Sequence, residues 1–225
     1  MRHALIATLI YLGSLALPAS AQVHVSIGIN VPTYPVLQRV PGYPVYYAPQ
    51  LNANYFFYDG LYWVYQGDAW YSSPWYNGPW NVVDPYSVPL YVLRVPVRYY
   101  RVAPVYFHGW RADAPPHWGE HWGSAWVQRR EGWDHWDHKS VPAPAPLPHY
   151  QRTYSGTRYP DSSQQVVIHT QKYTYQPREV AVQERYKEMR ASAPAQPHPP
   201  GKAKGHDKEE KEGGGHGHGK GHEAK

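Results

Sequence analysis

The chain has 225 residues, of which 24 are Pro and 19 are Gly, a combined share that approaches the level typical of low-complexity sequence. Composition therefore predicts that not much more than half of the chain is globular. The formal net charge is +5, with basic and acidic residues interleaved, which argues against a nucleic-acid-binding surface. There is no cysteine, so disulfides and a lipid anchor attached through cysteine are excluded.

The first 21 residues have the pattern of a secretory signal peptide. A basic start is followed by an apolar run over residues 4–17 and then by small residues that end at Ala21. The alternative, an N-terminal membrane helix, is disfavoured because fourteen apolar positions are too few to span a bilayer comfortably. We expect cleavage near Ala21, a periplasmic or secreted location, and a mature chain from Gln22 without a transmembrane span.

The next segments are predicted to be extended. Residues 23–31 alternate apolar and polar side chains, which predicts a β-strand with one apolar face. Pro32 ends this strand. Residues 32–49 are rich in Pro and Tyr, so we expect either a polyproline-like backbone that wraps the fold or a flexible linker.

The aromatic centre of the sequence is residues 55–80, where twelve of 26 positions are Phe, Tyr or Trp. Each of these side chains can bury about 150–250 Å², so the segment can form a core with little help from aliphatic residues. Asp59-Gly60 lies between two β-prone runs and favours a two-residue type I′ turn. Such a turn would place Phe57 opposite Tyr62.

The same segment predicts the fold class. A second turn at residues 66–68 leads to a third strand over residues 69–72, and Pro74 and Pro79 would make any fourth strand short and place it at an edge. We expect a mainly β fold with irregular Pro-rich segments. It would contain a small aromatic antiparallel β-meander, one or two short helices and a disordered C-terminal tail.

A three-stranded meander with aromatic residues on both faces leaves one aromatic face that either is covered by another segment or binds a ligand. We expect exposed rings of this meander to contact a ligand, either a cell-wall glycan that stacks on them or an envelope protein. The candidate ligand-binding residues are Trp63, Trp70, Trp75 and Trp80. Nucleic acid is not expected, since the chain is exported.

The segment after the meander has two parts. Residues 82–106 could form short strands or one short helix, because their period and length are ambiguous. In residues 107–138, Trp118, Trp122 and Trp126 have the spacing of one helix face. We expect this Trp stripe to cover the meander, or alternatively to stay exposed and bind a partner.

Two His-rich motifs are candidates for chemistry. Residues 117–121 read H-x-x-E-H, the inverted zinc-protease pattern, in which His117 and His121 would bind zinc with Glu120 as the base. A chance match is favoured, because the motif lies among Gly and Trp without a third ligand. His135 and His138 could bind a metal weakly or be solvated polar residues.

Composition divides the mature chain into three parts. Residues 22–140 form the aromatic-rich domain, and residues 141–200 form a Pro-rich linker with a marginal strand over 165–175 and a helix over 179–190. Residues 201–225 form a Gly-, His-, Lys- and Glu-rich tail that has nothing to bury.

The tail is the candidate metal site. Its Gly-His-Gly-His sequence lets two imidazoles reach one ion without steric cost, and a divalent transition metal such as Ni²⁺, Cu²⁺ or Zn²⁺ would be bound weakly. The candidate ligands are His206, His216, His218 and His222. The alternative is a tail that only keeps the protein soluble.

Residues 75–80, WYNGPW, fit the motif W-x-x-G-x-W, and the surrounding YDGLYWVYQGDAWY resembles the aromatic hairpins of secreted proteobacterial proteins of unknown function with YxWGxW and WxxGxW motifs. The resemblance covers about residues 23–136. It implies an exported envelope protein and supplies no known catalytic residues to carry over. Since the chain also has no G-x-S-x-G motif, P-loop or dinucleotide fingerprint, we expect a non-enzymatic envelope protein. The alternative function is periplasmic metal buffering or sensing through the tail.

Overall fold

A computed structural model describes residues 24–25, 28–29, 31–170 and 173–192. The predicted signal peptide and the His-rich tail lie outside the described residues, so both stay predictions. The described residues all fall within one compact unit that ends at Ala193. In this part of the chain, no helix is long and apolar enough to cross a membrane.

The centre of the fold is one antiparallel sheet. Its strands are β1 (His24–Val25), β2 (Gln38–Arg39), β3 (Tyr46–Tyr47), β4 (Asn54–Tyr58), β5 (Leu61–Gln66), β6 (Ala69–Ser73) and β7 (Trp80–Val83). They lie in the order β1-β7-β6-β5-β4-β3-β2. The expected fold class, a mainly β protein built around an aromatic antiparallel meander, is confirmed.

The turns of the meander form as their residues predict. Asp59 and Gly60 both have positive φ, 47° and 93°, as a type I′ turn requires. This turn pairs Phe57 with Tyr62, as predicted. The two residues at 67–68 also have positive φ, and they lead into β6, which confirms the third strand.

The flanks of the sheet differ from the expectation. Residues 32–49 do not wrap the meander; they supply β2 and β3, and β3 pairs with β4 through Tyr46 and Phe57. Strand β7 is not at the edge, because it lies between β6 and β1. Pro79 permits this position because it precedes the first residue of β7 and occupies no place in the ladder. The strand predicted over residues 23–31 is described only in part, and β1 is the piece of it that is seen.

Short helices follow the sheet. They are α1 (Leu90–Leu93), α2 (Trp118–Trp122), α3 (Ser124–Arg129), α4 (His149–Thr153), α5 (Ser162–Thr170) and α6 (Val180–Ser192), with 3-10 turns at Pro85–Ser87, Val97–Tyr99, Val105–Phe107 and Gly156–Arg158. The described residues thus contain six α-helices, more than the one or two expected. For residues 82–106 the sequence was compatible with short strands or with one helix. The structure has α1 here, together with the end of β7, two complete 3-10 turns and the start of a third.

The two C-terminal helices test the predicted linker elements. The helix predicted over residues 179–190 is confirmed as α6. The marginal strand predicted over residues 165–175 is wrong, because α5 occupies its first half. Asp161 explains the helix: its carboxylate accepts hydrogen bonds from the Gln164 N–H at 2.9 Å and the Ser163 hydroxyl at 2.7 Å, and such an N-terminal cap starts a helix.

Both faces of the sheet are covered, so the fold has two aromatic clusters. One cluster contains Phe56, Trp63 and Trp70, and the segments from α1 to α3 together with α6 pack on it. The other contains Tyr55, Phe57, Tyr62 and Trp80, and residues 145–168 pack on it. Alternate residues of β4 enter opposite clusters, as the two-residue period of a strand requires. The expectation of an aromatic face left open is therefore not met.

Residues 141–170 and 173–192 are part of the body and not a linker. Ala145, Tyr150, Ile168 and Val182 are all buried in the two clusters. The predicted boundary at residue 140 therefore does not separate a folded part from a linker. The Pro-rich composition of residues 142–148 was misleading because extended backbone can also pack against a protein surface.

Candidate functional site

The tryptophans predicted to contact a ligand lie mostly in the core. Trp63, Trp70 and Trp80 are 0%, 1% and 3% exposed, so the prediction that they form an exposed platform is wrong. The cause is the covering of both sheet faces by the C-terminal half of the chain. Trp75 is partly exposed, and it packs with its ring centroid 4.5 Å from that of Tyr150.

A different set of rings reaches the surface. These side chains are all partly exposed, and we call them the ring band: Tyr106, Trp110, His117, His121 and Trp122. They come from the 3-10 turn at Val105–Phe107, the loop after it and α2. Sequence analysis singled out three members of this set, Trp122 in the Trp stripe and His117 and His121 in the H-x-x-E-H motif, but it did not predict that they lie together.

Ring contacts make the band continuous. Tyr106 stacks on His121, with centroids 4.1 Å apart and planes within 8°. Trp110 stacks in the same way on His117 at 4.7 Å and 19°. Tyr106 also contacts Trp110 at 5.7 Å, and His121 contacts Trp122 at 5.9 Å. Offset and edge contacts of this kind stabilise aromatic pairs by about 0.5–1.5 kcal/mol each beyond their burial.

The Trp stripe anchors the band to the sheet. Trp118 is buried against Trp70, and its indole N–H donates to the Leu93 carbonyl at 3.0 Å. The predicted single helix is divided at Gly123, whose φ of 83° ends α2 before α3 begins. The stripe nevertheless covers the meander, as the first alternative predicted. Trp122 lies between its two buried neighbours and stays partly exposed.

One carboxylate joins the band to the sheet. Asp68 Oδ1 accepts hydrogen bonds from the Tyr65 hydroxyl at 2.6 Å, the Tyr106 hydroxyl at 3.0 Å and His121 Nε2 at 2.7 Å. The Tyr65 and Tyr106 hydroxyl oxygens also contact each other. We call these four residues the Asp68 cluster.

The cluster shifts the pKa values of its carboxyl group and of its two tyrosine hydroxyls. Partial burial opposes ionisation of Asp68, but the hydrogen bonds from Tyr65, Tyr106 and His121 outweigh it and lower the pKa of the carboxyl. Burial raises the pKa of both tyrosines, and their bonds to the carboxylate add to this rise. The cluster is therefore a carboxylate that accepts hydrogen bonds from two hydroxyls and one imidazole.

A cleft of about 710 Å³ lies beside the Asp68 cluster, between the β5–β6 turn and residues 102–105. Buried Asn54 fixes the second wall: its Nδ2 donates to the Val102 carbonyl at 2.7 Å, and its Oδ1 accepts from the Val102 N–H at 2.9 Å. The rim includes Asp68 and the exposed apolar side chain of Val105. This first cleft is thus polar on one side and apolar on the other.

A second cleft, of about 810 Å³, lies beside the His117 end of the band. Its ionisable lining residues are His117, Glu120, Glu131, Asp134 and His135. His117 Nδ1 lies 3.1 Å from Glu120 Oε1. Two carboxylates therefore border the ring band, Asp68 beside Tyr106 and His121 and Glu120 beside His117.

The structure gives the two imidazoles of residues 117–121 different partners. His117 precedes α2, where its imidazole pairs with Glu120 and Trp110, whereas His121 turns to Asp68. Among the described residues, no group of three His, Cys, Asp or Glu side chains could hold a metal ion. The four predicted tail ligands lie outside these residues, so weak metal binding there stays a prediction.

No protein-family model matches the chain, and comparisons with curated proteins and with solved structures also found no match. The resemblance to secreted aromatic proteins therefore stays a prediction.

The motif at residues 75–80 connects β6 to β7. Gly78 has a φ of 95°, and a Cβ there would lie 2.9 Å from Trp80 Cδ1, which explains why the motif needs glycine two residues before this tryptophan.

Proposed function

We propose that this protein is an exported, non-enzymatic binding module of the cell envelope, and that the ring band binds a cell-wall glycan. The observation that carries the proposal is a continuous row of five partly exposed rings bordered by two carboxylates, Asp68 and Glu120. The signal-peptide pattern of the first 21 residues supports export.

The chemistry of the band suits a sugar chain. Pyranose rings present apolar C–H faces that pack on aromatic rings, and their hydroxyls donate to carboxylates such as Asp68 and Glu120, which accept the stronger, charge-assisted hydrogen bonds. A protein partner is the less favoured occupant, because the centres of protein interfaces are depleted of charged residues. Glu120 is exposed beside the band.

Co-sedimentation with purified cell-wall sacculi tests the proposal, with the mature chain of residues 22–225. Trp110→Ala and Trp122→Ala should each weaken binding by about tenfold, which corresponds to about 1.4 kcal/mol, because each removes a stacking surface. Trp75→Ala is the matched control, since Trp75 is also a partly exposed tryptophan but lies in the opposite cluster. Equal weakening by all three variants, or by none, contradicts the proposal.

A conservative variant separates binding from folding. Glu120→Gln keeps the shape of an exposed side chain and removes only its charge, so the midpoint of thermal unfolding should not change. Its binding should still fall by several fold, because charge-assisted hydrogen bonds are about twice as strong as neutral ones.

N-terminal sequencing tests export. The sequence of the exported protein should begin at Gln22, and a protein that keeps its first 21 residues would contradict export with cleavage.

Metal buffering through the tail is the alternative function, and the Gly-His-Gly-His sequence at residues 215–218 is the observation that favours it. A chain that ends at Pro200 should lose most of its uptake of Ni²⁺, Cu²⁺ or Zn²⁺ in a dialysis titration. Unchanged uptake would exclude the tail as the site.

A further inference from the structure

The side chains open to oxidation in this protein are almost all aromatic. The sequence has no Cys and two Met, against 22 Tyr and 10 Trp. An oxidant that removes one electron from the folded protein will therefore act mainly on Tyr and Trp. Which ring finally loses the electron depends on the ring contacts and on where a proton can go.

Tyr106 has a proton acceptor in place. A phenol that loses an electron becomes a strong acid, so its oxidation is easier when a base already accepts its hydrogen bond. A general base has to lie within about 2.6–3.2 Å of the atom that gives up the proton. Asp68 Oδ1 meets this condition, at 3.0 Å from the Tyr106 hydroxyl and 2.6 Å from the Tyr65 hydroxyl.

Tyr106 is also connected to the buried tryptophans. Its hydroxyl oxygen contacts that of Tyr65, and the Tyr65 ring lies 5.2 Å from Trp118. Trp118 stacks on Trp122 at 4.6 Å and 10°, and Trp122 contacts Trp126 at 5.0 Å. A radical formed on the partly exposed Trp122 can therefore reach the Asp68 cluster through rings in contact.

We propose that Tyr106 is the preferred one-electron oxidation site of this protein and the point at which two chains become covalently joined. A one-electron oxidant, of the kind that a haem peroxidase generates with peroxide, takes one electron from Tyr106 while the phenolic proton passes to the Asp68 carboxylate. Two tyrosyl radicals, one from each chain, then form a carbon–carbon bond ortho to their oxygens. Each displaced ring hydrogen returns as a hydroxyl proton, which gives dityrosine.

Other tyrosines lack part of this arrangement. Tyr65 shares the carboxylate but is 2% exposed, so it cannot meet a second chain. Tyr175 donates to Asp59 at 2.7 Å, but its ring contact among the described residues is with Tyr173 and not with a tryptophan. Tyr71 is partly exposed, as Tyr106 is. No carboxylate of the described residues accepts a hydrogen bond from the Tyr71 hydroxyl.

The test is oxidation of the mature chain by a haem peroxidase and peroxide, followed by peptide mass spectrometry of the cross-linked dimer. Dityrosine should join Tyr106 to Tyr106 in most of the dimer. Tyr106→Phe should abolish that dimer, and the control Tyr71→Phe should leave it unchanged. Asp68→Asn should slow dimer formation by at least tenfold, because a positioned general base contributes about 10²–10⁴-fold.

Two results would overturn the proposal. One is a set of cross-links at Tyr71, Tyr175 and Tyr106 in similar yield, which would mean that exposure alone decides the site. The other is an Asp68→Asn variant that is oxidised as fast as the parent. This variant should fold, since Asn tolerates the left-handed φ of 62° at position 68, and its thermal unfolding midpoint serves as the check.

Discussion

Asp59 has two functions at the β4–β5 turn. It adopts the left-handed φ of 47° that the turn needs, and its carboxylate, in a residue that is 4% exposed, caps the backbone just before a distant helix. Oδ2 accepts from the N–H groups of Arg178 and Glu179 at 2.8 and 2.9 Å, and Oδ1 accepts from the Tyr175 hydroxyl at 2.7 Å. One side chain therefore holds a turn of the sheet against α6.

Asp59→Ala should lower the free energy of unfolding by about 2–4 kcal/mol, because it removes this cap and leaves the partly buried N–H groups of Arg178 and Glu179 unpaired. Asp59→Asn should lose less, since Asn tolerates the same φ and its carbonyl can still accept. Urea denaturation of the three proteins measures the difference. An Ala variant within about 0.5 kcal/mol of the parent, the range of neutral surface substitutions, would show that the cap is not important.

The docking of α6 depends on a second carboxylate. Glu179 Oε2 accepts from the Tyr58 hydroxyl at 2.7 Å, and Oε1 accepts from the Leu90 N–H at the start of α1 at 3.0 Å. Burial raises the pKa of Glu179 above its ordinary value of 4.5. The charge of Asp59 adds to this rise, whereas the two hydrogen bonds and the Arg130 guanidinium oppose it.

This raised pKa predicts the sign of a pH effect. The folded chain holds the Glu179 proton more tightly than the unfolded chain, so the contribution of Glu179 is largest below pH 4.5 and falls as pH rises through the folded pKa. The unfolding free energy of the parent minus that of Glu179→Gln should therefore decrease from pH 4 to pH 8. Glu184→Gln, an exposed position on the same helix, supplies the background; an equal trend in both variants would contradict the prediction.

The sequence predicted well those elements that are determined by residues close together along the chain. The Asp59-Gly60 turn and the pairing of Phe57 with Tyr62 follow from turn chemistry and the period of a strand. The burial of Trp63, Trp70 and Trp80 was missed because it depends on segments that return from far along the chain. Glu179 is 120 positions from Asp59, and no local pattern marks that contact.

The ring band was missed for a similar reason. Tyr106, Trp110 and His121 share no single helix or strand, so no sequence period joins them. Spacing did identify the Trp stripe, because Trp118, Trp122 and Trp126 kept one face in spite of the break at Gly123. A cluster assembled from a turn, a loop and a helix becomes visible only after the chain folds.

In the whole molecule, the sheet divides two aromatic clusters that are completed from different parts of the chain. The α6 helix places Val182 and Arg185 on one side, where the Arg185 guanidinium donates to the Val82 carbonyl at 3.1 Å. On the other side, the Tyr150 hydroxyl lies 2.9 Å from that of Tyr62, in the centre of the sheet. Neither cluster is closed without residues beyond 140.

A chain that ends at Ser140 should therefore fail to fold as an independent domain. It would expose Tyr62, Phe57 and Trp80, and burial of each such ring contributes on the order of 2 kcal/mol to a total stability of only about 5–15 kcal/mol. Near-ultraviolet circular dichroism of residues 22–140 should lack the fixed aromatic signals that residues 22–225 give. A cooperative urea transition in the shorter chain would instead restore residue 140 as a domain boundary and make α6 an accessory to a fold that forms without it.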